Sequence, residues 1–161
     1  MDIRTDWNLI RNHFSKSFGT SLHYSIASVD KYNNPTTTPI GSLFLNDDKT
    51  GFYFERYPSN LPKNYIYNKN ICVLAVNSNR WFWLKSLYKN KFTANPAIKL
   101  YGTLGEKRLA NDNEIRALKR RMRATKRLKG HKYLWDNMNM VRELVFTKAE
   151  KMNLGEMTDH L

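Results

Sequence analysis

The first periodicity along the chain is helical. Trp7, Ile10, His13/Phe14 and Phe18 recur at three- and four-residue spacing, which predicts a helix over 6–18. Asp6 can cap its start and Gly19 is placed to end it. The period then shortens to two. Leu22, Tyr24, Ile26 and Ser28 alternate with His23, Ser25, Ala27 and Val29, the pattern of a strand mostly buried on both faces. Asp30-Lys31-Tyr32-Asn33-Asn34-Pro35 reads as a turn, and 36–45 as a second strand broken by Pro39 and Gly41. Proline sits in a strand at an edge or a bulge. After a turn over 46–51, Phe52-Tyr53-Phe54-Glu55 is a third strand, and the three together make an antiparallel meander.

Residues 56–70 interrupt this pattern with a loop, Tyr57-Pro58-Ser59-Asn60-Leu61-Pro62, and a short helix over 63–67. The unbroken apolar run 71–76 suits a buried strand. Arg80-Trp81-Phe82-Trp83-Leu84, a lysine-rich stretch and Asn95-Pro96 follow, and then Ile98, Leu100, Gly102 and Leu104 alternate in a strand over 98–107. Ile115, Leu118, Met122 and Thr125/Leu128 form one stripe of a helix over 113–129. A last strand covers 140–146, with Val141, Leu144 and Phe146 apolar. The sum is one domain over 1–161, mostly β with flanking helices. Its roughly six antiparallel strands lie in 20–107 and 140–154, and a sheet of that size closes into a small barrel to remove its edges.

Size supports this picture: 161 residues fit one domain and bury about 70% of the unfolded chain's surface, enough for a core without disulfides or metals. The single cysteine, Cys72, excludes an intrachain disulfide and reads as an inert core thiol inside an apolar run. His13, His23, His131 and His160 lack metal-ligand spacing, and no Ser/His/Asp or Cys/His arrangement stands out. No stretch approaches the ~20 apolar residues of a membrane span, and no apolar secretory core opens the chain, so a cytoplasmic protein is expected.

Charge changes the picture more. A net charge of +13 favours anionic partners: nucleic acid, a phosphorylated ligand or an acidic surface. Arg116, Lys119, Arg120, Arg121, Arg123, Lys126, Arg127, Lys129 and Lys132 are dense enough to contact a phosphate backbone. Such a run is also the ordinary composition of a solvated helix face, no nucleic-acid motif accompanies it, and Asp112 and Glu114 are placed for the helix dipole.

Several segments carry a resemblance when taken in order. They are Ile26-Ala27-Ser28-Val29-Asp30 with Asn34-Pro35-Thr36-Thr37-Thr38-Pro39-Ile40-Gly41; Gly51-Phe52-Tyr53-Phe54-Glu55; Ser59-Asn60-Leu61-Pro62-Lys63-Asn64; Asn68-Lys69-Asn70-Ile71-Cys72-Val73-Leu74-Ala75-Val76; and Ile98-Lys99-Leu100-Tyr101-Gly102-Thr103-Leu104-Gly105-Glu106. From roughly residue 20 to 115 the chain resembles the pyridoxamine-phosphate-oxidase-like flavoproteins. It departs from them at Asn60-Leu61-Pro62-Lys63, where an arginine of the family's phosphate loop is absent, and at Asn70, where proline is usual. The C-terminal tryptophan and Arg-x-His cluster of true pyridoxamine-phosphate oxidases have no counterpart, which argues against that substrate.

The resemblance implies a six-stranded antiparallel split β-barrel, FMN as cofactor, and a homodimer with the flavin ring at the subunit interface. It also implies an oxidoreductase activity on a small-molecule redox substrate. Arg56 and Lys63 would serve the phosphate, with Ser59, Asn60 and Asn64 as further donors beside a helix start. Thr38, Pro39, Ile40 and Gly41 would offer backbone groups to the ring edge, where glycine permits close approach. Glu55 leads into the phosphate loop, and Trp81 and Trp83 are candidates for a partner chain's contribution. The family also has haem- and deazaflavin-binding members. Outside it stands a nucleic-acid-binding module without redox activity, using the basic helix.

Overall fold

The computed structural model describes residues 1–161. Its elements are α1 (Trp7–Ser21), β1 (Tyr24–Val29), β2 (Pro35–Ile40), β3 (Leu43–Leu45), β4 (Thr50–Phe54), α2 (Asn60–Tyr65), β5 (Asn70–Val76), α3 (Arg80–Tyr88), β6 (Ala97–Leu109), α4 (Asp112–Arg121), a 3-10 turn (Arg123–Thr125), α5 (Lys129–Trp135) and β7 (Met140–Lys151). One antiparallel sheet holds all the strands in the order β2-β1-β5-β6-β7-β4-β3.

That order makes the sheet curl. β2 and β3 occupy its opposite edges, yet Gly41 and Ser42 alone separate them in sequence. Three peptide steps reach at most ~11 Å, so the two edges are drawn together. Residues 36–45 pair first with β1 and then with β4. Counted as one strand bent at Gly41 and Ser42, β2 and β3 give the six strands read from the sequence; counted apart, they make seven. Pro35 and Pro39 fall in β2, which pairs with β1 on one side and is free on the other, the setting proline requires.

Strand alternation points Tyr24, Ile26, Ile71, Val73, Leu100 and Leu144 inward, where α1 adds Trp7, Ile10 and Phe14. A smaller cluster of Phe52, Phe54, Leu118, Met122, Met138 and Val141 lies beneath α4. The outward residues of β1, Ser25, Ala27 and Val29, are half-buried, so that strand is fully buried on one face rather than two. Cys72 is also on the outward phase, between inward Ile71 and Val73, and is a half-buried surface thiol rather than a core one. Partial burial raises its pKa, which keeps it protonated and unreactive.

Three helix boundaries differ from the sequence reading. α1 does not stop at Gly19. The Thr20 and Ser21 hydroxyls donate to the Ser17 carbonyl at 2.9 Å each, and Leu22, at φ 62°, closes the helix by donating to the Phe18 carbonyl. α2 begins at Asn60 rather than 63, because Pro62 is tolerated in a first helical turn, where no N–H is needed.

The basic helix over 113–129 is broken. α4 ends at Arg121, and the Thr125 hydroxyl donates to the Met122 carbonyl at 2.9 Å inside the 3-10 turn; the chain restarts as α5 at Lys129. The buried part of the apolar stripe ends at Leu118 and Met122, and Leu128, the next position on it, is exposed. At the other end, Asn111 and Glu114 form a reciprocal cap, each side chain accepting the other's backbone N–H at 2.9 and 2.8 Å.

Candidate functional site

The bend that joins β2 to β3 is also one wall of a cleft of about 450 Å³. Thr37, Thr38, Pro39, Ile40, Gly41 and Ser42 form that wall. Tyr57, Pro58, Ser59 and Asn60, which lead into α2, form the second, and Trp135 and Met138 the third. Four residues proposed for the ring edge, Thr38 to Gly41, and two proposed for the phosphate, Ser59 and Asn60, are thus brought to one place. A side chain on Gly41 would meet the Leu22 carbonyl at 3.2 Å and the Trp135 ring at 3.6 Å, so the bend has no room for one without local adjustment.

Ser42 and Tyr57 spend their hydroxyls on the Phe54 and Tyr133 carbonyls, but other donors on this cleft are uncommitted. Ser59 stands at the start of α2 without a side-chain cap hydrogen bond, and Asn60 is exposed. Pro35 and Pro39 have no N–H to give β1 and fit where the backbone nitrogen faces away from it. Thr37 is in phase with both, so its N–H and carbonyl face the open edge of β2. No acidic side chain lines the cleft.

Asn60 also lines a neighbouring cleft of about 390 Å³ that contains Lys31, Lys63 and Asn64. Lys63 lies in the last turn of α2, not at its start. Lys31, in the β1–β2 turn, is a second cation that the sequence did not single out. Asp30 is the carboxylate of this cleft. It accepts from the backbone N–H and side-chain amide of Asn34 and from the backbone N–H of Tyr32, and these bonds hold its pKa below the usual range.

Three proposed residues have other work. The buried Asn64 amide donates to Ser28 Oγ at 2.9 Å and Thr36 Oγ1 at 3.0 Å, tying α2 to the β1–β2 hairpin. Glu55 is 6% exposed and lines neither cleft. It receives Arg142 at 2.5 and 3.0 Å, the Tyr53 hydroxyl at 2.7 Å and Lys107 at 3.4 Å. Burial alone would raise the Glu55 pKa, but the bonds from Arg142 and Tyr53 and the charges of Arg142 and Lys107 outweigh it and hold the carboxyl below its ordinary range. Arg56 is exposed, makes no ion pair, and lies 5.2 Å over the Tyr57 ring, outside both clefts.

Trp81 and Trp83 lie on α3 and line neither cleft of their own chain. Trp81 is 80% exposed, whereas Trp83 donates to the Asn77 carbonyl at 2.6 Å and meets Phe92 edge-on at 5.2 Å. Trp135 and Met138 were missed because nothing local marks them; they reach the cleft through α5. That helix is tied to the loop by the Tyr57–Tyr133 ring stack and the hydroxyl of Tyr57, which donates to the Tyr133 carbonyl at 2.7 Å. Of the basic run, Arg116, Lys119, Arg120, Arg123, Lys126 and Arg127 are exposed but divided between α4 and the turn after it, and Arg121 turns inward. No helix is long and apolar enough to cross a membrane.

No protein-family model and no curated protein matches the sequence. Solved structures do match over nearly the whole chain. An FMN-binding protein from Syntrophomonas wolfei is 14% identical at a TM-score of 0.60, with 96% of this chain and 97% of that one covered. HupZ from Group A Streptococcus is 17% identical at 0.57, covering 92% and 94%. HutZ, described as a haem storage protein of Vibrio cholerae, is 10% identical at 0.53, covering 94% and 95%. The likeness is one of fold: the chain has the split-barrel fold of the pyridoxamine-phosphate-oxidase-like proteins.

Proposed function

We propose that the chain is an FMN-binding flavoprotein, an oxidoreductase acting as a cytoplasmic homodimer on a small-molecule substrate. The observation that supports this most is the convergence of the free edge of β2, the Gly41 bend and the Ser59–Asn60 corner on one cleft free of acidic side chains. An isoalloxazine ring has donor and acceptor atoms along one edge, and the outward N–H and carbonyl of Thr37 match such an edge. Ser59 and Asn60 stand between the ring cleft and the Lys31/Lys63 cleft, so a ribityl chain crossing Asn60 would bring its phosphate to two lysines. Lys31 offers the charge of the arginine that the family's loop has and this one lacks. FMN, when bound, supplies hydride transfer; the protein's part is to orient the ring and set the charge around it.

FMN is favoured over haem because neither histidine nor cysteine lines the cleft, the Tyr57 hydroxyl is engaged by the Tyr133 carbonyl, and Met138, the one thioether, has no histidine there to share an iron with. A homodimer is favoured because α3 exposes Trp81, Leu84, Leu87 and Tyr88, the last 92% exposed, and large exposed apolar patches mark association surfaces. Trp81 and Trp83 would then act from the partner chain.

Titration of FMN into the full chain tests the reading through quenching of flavin fluorescence. Saturable binding is expected, and Lys63→Ala is expected to weaken it by about tenfold or more, the value of one hydrogen bond to a charged group. Protein that is colourless as isolated and takes up no FMN would sink the proposal; unchanged affinity in Lys63→Ala would move the phosphate elsewhere.

A further inference from the structure

Arg121 is the exception among the sheltered arginines. Arg142 is paired with Glu55, and Arg108 with both Glu114 and Glu143. Arg121 has no carboxylate within ion-pair distance. Its guanidinium lies 3.5 Å from the Phe44 ring centroid and 4.5 Å from that of Phe18, and it donates to the carbonyls of Leu43 and Gly41. Burial brings its pKa down to about 10, which leaves it charged at neutral pH, with the Tyr24 hydroxyl the one titratable group acting back on it. A cation withdrawn from water without a counter-ion stabilises an anion brought to it.

A cavity of about 400 Å³ has Arg121 and Phe18, the ring under its guanidinium, among its lining residues, a volume suited to a small-molecule site. Its wall is mostly apolar and includes Phe18, Leu22, Leu128, Leu134 and Trp135, with the paired Thr125 hydroxyl and His131 ring as its other polar groups. Trp135 belongs to this cavity and to the cleft beside β2, so its ring is a shared partition. We propose that the cavity binds an amphipathic monocarboxylate, its apolar body among Leu22, Leu128, Leu134 and Trp135 and its carboxylate on Arg121; this binding does not depend on the flavin reading.

A polar hollow with Asn8, Asn12 and Ser15 also borders Arg121 and would suit a bare anion, so the test separates the two. Calorimetric titration of the FMN-free full chain uses decanoate, decanol, acetate and inorganic phosphate. Decanoate is expected to bind about tenfold or more tighter than decanol, with acetate and phosphate weaker still. Leu128→Asp, at a position 64% exposed, is expected to weaken decanoate about tenfold or more with the melting temperature unchanged, and Arg121→Gln to act likewise. Should Arg121→Gln not fold, Leu128→Asp carries the comparison. Equal affinity for decanoate and decanol, phosphate binding as tightly as decanoate, or an unaffected Leu128→Asp overturns the binding site.

Discussion

Arg142→Met is expected to destabilise the fold by about 3–5 kcal/mol, because it leaves the buried Glu55 carboxylate with the Tyr53 hydroxyl and one largely solvated cation. Arg142 and Glu55 are 5% and 6% exposed, and their link joins β7 to the end of β4. Arg142 also donates to the Gly105 carbonyl of β6 at 3.0 Å, so three strands lose a common tie. Lys107, 3.4 Å from Glu55 and itself well exposed, is a poor replacement. Urea unfolding measures the loss. The double variant Glu55→Leu/Arg142→Met should recover much of it, since two apolar groups replace a pair whose desolvation largely offsets its attraction. A double variant no more stable than Arg142→Met would show that packing, and not the unpaired charge, was responsible.

The same carboxylate gives a pH dependence. The Glu55 pKa is lowered in the folded state, so the unfolded chain binds its proton first as pH falls. The stabilisation is complete above the unfolded carboxyl's pKa of ~4.3 and is lost as pH drops through the lower folded value. Glu55→Gln should therefore lie well below wild type in stability at neutral pH, and the gap should close in acid. A gap independent of pH would contradict the ionised pair.

Gly102→Ala is the second large effect, with an expected loss of about 3 kcal/mol or more, at the upper end for overpacking substitutions. A methyl group there would lie 2.0 Å from the Val145 carbonyl oxygen and 2.9 Å from the Phe146 Cα, both backbone atoms that cannot turn away. The β6–β7 register shifts between Tyr101 and Gly102, and the strands come together over the missing side chain. Relief requires the register to move, which would disturb the inward positions of Leu104 and Leu144 together. Thermal unfolding and amide exchange of β6 report it; an unchanged melting temperature would rule out the close approach. Gly19→Ala, with open space around its missing side chain, is the matched control.

The proline in β2 announced an edge, and the edge was found. Alternation over 98–104 located inward side chains correctly because a strand's period of two is a local property, whereas over 24–29, with apolar residues in both phases, it was read as burial on both faces and only one is fully buried. Thr38 to Gly41 were legible as an interrupted strand and Ser59 to Asn60 as a polar loop, and they do meet. Lys63 was placed on the wrong side of its helix because Pro62 reads equally as loop or as first turn. Glu55 and Asn64 were read as ligands because sequence shows a polar residue next to a loop but not the Arg142, Ser28 or Thr36 that claims it. The basic helix was drawn too long because its stripe persists to Leu128 in sequence while the surface it packs on ends at Met122.

By itself, then, the sequence determined the strands and most turns and confined its strand prolines to an edge or a bulge, properties set within a few residues by side-chain period and backbone restriction; the split form of the barrel was what the resemblance of several segments taken in order implied. Tertiary structure alone decided which strand closes the sheet, which charges are spent in the interior, and that Trp135 and Met138 complete a cleft begun nearly a hundred residues earlier. Those outcomes depend on distances between segments far apart in the chain, and no local pattern encodes such distances before the sheet has curled.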